Sequence, residues 1–150
     1  MTAAGMGAGN LLILALLGLP VATAGVLALV PSHRIGARIN VAACLLSLLA
    51  ALTLVSHRPE IGRYLLVDDL NISFIVLTNL VATTTSGFSA SYIAHELEIG
   101  RLQPRYMRFY HAMYQMLLFA MNLALLANNI GLMWVAVELA TLTTVLMVGL

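Results

Sequence analysis

Residues 126–150 read LANNIGLMWVAVELATLTTVLMVGL, and Glu138 is the one charged residue among them. From Leu132 onward the stretch is apolar over the ~20 residues that a membrane crossing requires. A hydrocarbon interior offers no water to backbone amides, so the segment must satisfy them internally, as a helix. "NNIG" before it reads as a tight turn, so another span must arrive just upstream. These two inferences settle the class: an all-α, polytopic transmembrane helix bundle.

Composition agrees. The chain has 150 residues, 61% of them hydrophobic and 9% charged, against about 25% charged in an ordinary soluble domain. A net charge of +1 and the lack of a basic cluster give no footprint for nucleic acid. The basic residues are all Arg, and Lys is absent. Cys44 is the only cysteine; it has no intrachain disulfide partner, and packing is the reading it supports. "MTAAGMGAGN" carries no basic residue, so the start reads as a retained helix rather than a secretory leader.

Five spans are expected, at about residues 11–30, 39–55, 71–94, 111–127 and 132–150, with Pro20 inside the first. The loops "PSHRIGAR" and "HELEIGRLQPRYMRFY" fall on one side with Arg34, Arg38, Arg101, Arg105 and Arg108; Arg58 and Arg63 fall on the other. The positive-inside rule then puts the N-terminus outside. The fifth span meets no closing polar flank, and the chain is expected to be the front part of a longer one.

The spans carry polar stripes. Asn71, Thr78, Thr85, Ser89 and Tyr92 share one helical face, as do His111, Gln115 and Asn122. Both stripes should face other helices, as hydrogen-bonding contacts or as the lining of a hydrated path. His111 reads either as a solvated flank or as a relay position. "HELEI" lacks the second histidine of a zinc protease helix and reads as a charged loop. No metal ligands are assigned, the Met residues included.

Glu138 lies about 9 Å into its span at 1.5 Å per residue. An acidic residue near a span centre costs about 3 kcal/mol, and each Leu, Val or Ile returns about 0.3–0.6, so the helix still inserts. Thr141, one turn on, is placed to hydrogen-bond the carboxylate. No span supplies a cation. A neutral structural glutamate is one reading; a residue on an ion path is the other, and intramembrane ionisable groups favour it.

From about Tyr64 onward the chain resembles the antiporter-like membrane subunits shared by respiratory complex I, Mrp-type cation/proton antiporters and membrane-bound hydrogenases, the hydrogenase-4 branch above all. The residues that carry this are "LLVDDLNISFIVL", "FSASYIAHELEIGRLQPRYMRFYHAMYQMLLF" and "LANNIGLMWVAVELATLTTVL". The first 60 or so residues fit only as generic spans. The resemblance implies a bundle of about fourteen helices with two inverted repeats, of which this chain holds helices one to five. It implies a proton-translocating subunit of a hydrogenase-4-like or NADH:quinone oxidoreductase-like complex, coupling electron transfer to proton transport without redox catalysis of its own. Glu138 matches the family's fifth-helix glutamate, whose lysine partner would lie beyond Leu150. The implied partners are other membrane subunits, the lipid bilayer and protons, in a bacterial inner membrane, with no cofactor. The alternatives are a subunit of a cation/proton antiporter or inorganic-carbon transporter, and a standalone structural membrane protein.

Overall fold

The computed structural model describes residues 7–149. Its secondary structure is five helices: α1 (Ala8–Leu29), α2 (His33–Leu54), α3 (Asp69–Glu98), α4 (Pro104–Leu126) and α5 (Ile130–Val148). Each is long and apolar enough to cross a membrane. The chain is a multi-pass membrane protein, and the expected class and number of spans are what is observed.

The helices run further into the polar flanks than the spans do. α2 already begins at His33, so Arg34 and Arg38 lie in its first turns rather than in a loop. α3 continues to Glu98, so "HELE" is helical and not a loop; Glu96 is buried and faces Arg101 at 3.7 Å. α4 starts at Pro104, where proline is tolerated because the first-turn N–H groups have no intrahelical partner. Apolarity ends where the hydrocarbon ends, whereas a helix ends where its backbone is capped. Gly100, at φ 75°, supplies the left-handed turn after α3, with Arg101 N–H donating to Glu96 O at 3.0 Å.

Among the described residues, α4 is the hub. It touches α1, α2, α3 and α5, whereas α5 touches no helix but α4. α1 and α2 pair, as do α2 and α3, while α3 and α5 stay apart. An open groove therefore runs between α3 and α5, floored by α4.

The segment from α2 to α3 is tied to the α4–α5 turn. Leu66 N–H donates to Leu126 O at 2.8 Å, and Asn128 N–H to Tyr64 O at 2.7 Å. The Asn128 amide reaches Gly62 O at 2.9 Å. Asn129 caps α5, its Oδ1 accepting from Gly131 N–H at 2.9 Å and Leu132 N–H at 3.3 Å. Asp68 and Asn71 form a reciprocal capping box at the start of α3. The Asn71 amide also donates to Leu66 O and to Leu125 O. Asn71 thus serves the helix start. Beneath this end lies an apolar cluster of Ile13, Leu16, Ala51, Leu54, Val67, Ile72, Ile75 and Leu126.

At the same end α1 approaches the α2–α3 segment so closely that only glycine fits. A Cβ on Gly9 would stand 2.6 Å from Pro59 Cα, and the obstacle is backbone, not a pliable side chain. Gly9→Ala should lower the thermal midpoint of the purified protein, at a cost of about 1–3 kcal/mol. An unchanged midpoint would show that α1 and this segment separate freely.

Candidate functional site: a buried polar seam and an outward glutamate

Leu and Met dominate the apolar parts of α4, but its face toward α2 and α3 is polar. His111, Gln115 and Asn122 are all buried there. The imidazoles of His111 and His33 stack with centroids 5.3 Å apart, and His111 Nε2 lies 3.2 Å from His33 Nδ1. Gly36 makes room for this pair: a Cβ there would sit 3.3 Å from the His111 ring. Gln115 Nε2 donates to Asn40 Oδ1 at 2.7 Å and lies 3.4 Å from Cys44 Sγ. Further along, Asn79 Nδ2 donates to Asn122 Oδ1 at 2.9 Å and to Ile75 O at 2.8 Å. From His111 to Asn122 the seam runs about 16 Å at 1.5 Å per residue.

Five buried polar atoms in the seam have no partner among the described residues: Ser47 Oγ, Asn79 Oδ1, His111 Nδ1, Gln115 Oε1 and Asn122 Nδ2. Buried polar groups are paired in the great majority of cases, and a free one is costly. Chemically the seam is a row of mixed donors and acceptors with hydrogen-bonding capacity to spare.

Sequence reasoning placed Gln115 and Asn122 toward the bundle interior, where they stand. His111 is buried at 2% exposure and is not a solvated flank. The α3 stripe is displaced by one position. The buried polar residues of α3 are Asn79 and Ser86, aligned with Ile72, Ile75 and Ile93. Thr85 and Tyr92 are exposed. Ser89 meets Tyr110 at 3.1 Å, and Thr78 and Thr85 line a groove against Tyr114 and Met121. Asn40, Ser47, Asn79 and Ser86 went unnoticed; their register with core positions was the signal for them.

Glu138 is on the other side of the matter. α5 packs on α4 through Ala136 and Thr143, both buried. Glu138 is exposed, on the flank of α5 that carries exposed Trp134 and Leu142. Among the described residues it enters no ion pair and no hydrogen bond. Thr141 donates instead to Val137 O at 3.0 Å, and it lines the open groove between α3 and α5, about 550 Å³ in volume. Glu138 and Thr141 thus lie across α4 from the seam, and these helices do not join the two.

Neither a family model nor a solved structure matches the chain. A curated protein does. The chain is 55% identical over 121 residues to a hydrogenase-4 component F homolog of Methylacidiphilum infernorum (isolate V4). That match takes in 81% of this chain and 25% of the relative, so the chain spans about a quarter of the length of the curated protein it matches. At that identity, across four-fifths of its residues, the chain is similar to one part of a larger protein, a hydrogenase-4 component F homolog.

Proposed function

We propose that this chain is the part of a proton-translocating, antiporter-like subunit that carries a protonatable glutamate, within a hydrogenase-4-like membrane oxidoreductase of the bacterial inner membrane. The observation that carries this reading is Glu138. It is the sole charged residue of α5 and lies about 12 Å along the helix, with its side chain turned from the other four helices. An ionised carboxylate at such depth needs a cation, and these helices supply none within their apolar spans. Its charge partner therefore comes from a helix outside this set, in the same subunit or in another membrane subunit. Glu138 takes up and releases a proton as that cation approaches and leaves. Thr141 borders the same surface. His111, Gln115 and Asn122 form a second polar element, on the inner face of α4, whose spare donors and acceptors can order water for a proton path. Electron transfer is left to other subunits.

The test is protons moved per electron transferred by the assembled complex in inverted vesicles. Replacing Glu138 should collapse that ratio, and an unchanged ratio overturns the reading. Orientation follows the arginines: the end bearing Arg34, Arg38, Arg101, Arg105 and Arg108 faces the cytoplasm. A cysteine placed at Glu98 should resist a membrane-impermeant thiol reagent in intact cells and react in inverted vesicles. The reverse pattern would invert the topology.

A further inference from the structure

A second feature lies at the arginine-rich end, between α2 and α3, and meets α4's seam only at His33. A groove of about 580 Å³ opens between the two helices, within the ~300–1,000 Å³ of ligand sites. Its walls divide by chemistry. At the mouth stand His33, Arg34, Arg38 and Ser91; along the length stand small and apolar residues such as Val41, Leu45, Gly87 and Ala90. The groove exists because α3 presents Gly87, Ala90 and Ala94 here, so no side chain fills the space.

The mouth is electrostatically uncompensated. Arg34 and Arg38 are one turn apart on one helix face, and neither takes part in an ion pair among the described residues. The first turn of α2 has no acidic residue, and Ser32 makes no side-chain cap bond. The free N–H groups of a helix start add positive potential to that of the guanidinium groups. Glu98, a turn beyond Ala94, is exposed at this end and pairs with neither arginine.

We infer that this groove binds an anionic phospholipid, its phosphate held by Arg34 and Arg38 and one acyl chain laid along Val41, Leu45, Gly87 and Ala90. Charge complementarity selects the head, and the apolar trough selects a molecule with a tail. Free phosphate has no use for the trough. A protein helix there would have to bring acidic residues to two arginines at the membrane boundary. Basic pockets between helices at the cytoplasmic surface suit anionic headgroups in the same way.

The experiment uses the subunit purified with its complex and offered phosphatidylglycerol or phosphatidylcholine. Retained lipid is read by native mass spectrometry. Phosphatidylglycerol should be retained in preference, and Arg34→Gln with Arg38→Gln should weaken that preference roughly thirtyfold. Arg105→Gln with Arg108→Gln removes the same charge from the neighbouring cleft, which lacks a trough, and should leave the preference in place. Gly87→Leu fills the trough and should reduce retention with both arginines intact. Inorganic phosphate should not compete. Equal retention of the two lipids, equal effects of the two arginine pairs, or competition by phosphate would each overturn the proposal. So would a photo-crosslinker at Ser91 that captures another protein segment rather than lipid.

Discussion

Glu138→Gln should leave the complex assembled and cut its proton translocation about a hundredfold, the scale on which a positioned proton-transfer group acts. The amide keeps the shape of the carboxyl and its ability to hydrogen-bond but cannot ionise. Assembly should survive because Glu138 touches neither of the buried contacts, Ala136 and Thr143, through which α5 rests on α4. Removing a charge also makes the span cheaper to insert. The measurement is the proton-to-electron ratio in inverted vesicles, with subunit content checked in the same preparation. Wild-type translocation by this variant would make Glu138 a structural residue. Glu138→Asp retains the charge but withdraws it by one methylene, and should keep a part of the activity.

The other large effect is expected in the seam. Asn79 and Asn122 are each fully buried and bonded to one another. Asn79→Leu leaves the Asn122 amide with no partner among the described residues and should cost about 1–3 kcal/mol, whereas Asn122→Leu leaves Asn79 Nδ2 its bond to Ile75 O and should cost less. The double substitution removes both polar groups together and should cost less than the sum of the two single changes, since an apolar pair with the same branching at Cγ leaves nothing unsatisfied. Interhelical hydrogen bonds in membranes couple by about 0.6 kcal/mol on average and 1.7 at most, so the rescue comes mainly from the removal of stranded groups. Thermal melts of the four proteins in one detergent measure the cycle. Simple additivity would show the two amides to be independent. Proton translocation by the double variant then reports separately on whether the seam serves transport.

What the sequence made legible follows from how residues declare themselves. A long apolar run with one carboxylate can only be a span, so α5 and the depth of Glu138 were readable. Gln115 and Asn122 stood out because amides are rare among Leu and Met, and their spacing put them on one face. Asn79 and Ser86 were hidden by neighbours: α3 holds so many hydroxyl residues that the stripe through Thr78, Thr85 and Tyr92 looked more regular than the one that is buried. Ile72, Ile75 and Ile93 mark the true inner face, and Asn79 and Ser86 share it. Asn40 sits a turn from Gly36, in a stretch of α2 that the polar His33, Arg34 and Arg38 make resemble a loop. The bearing of Glu138 was not readable either, because it depends on which face of α5 meets α4. A uniformly apolar helix gives no sign of that face.

The ties between the α2–α3 segment and the α4–α5 turn also bear on how the chain is made. Gly62 and Asn128 are 66 residues apart. A ribosome working at about 5–20 residues per second needs roughly 3–13 seconds to supply the second partner after the first. For that interval the carbonyls of Gly62 and Tyr64 lack the partners that the α4–α5 turn supplies. The α4–α5 turn then closes the loop, and the carbonyl of Leu125 just before it ties down the start of α3 through Asn71. The contacts at this end cannot be completed before α4 has been made, and an arrest between α3 and α4 should leave the first three helices without those ties.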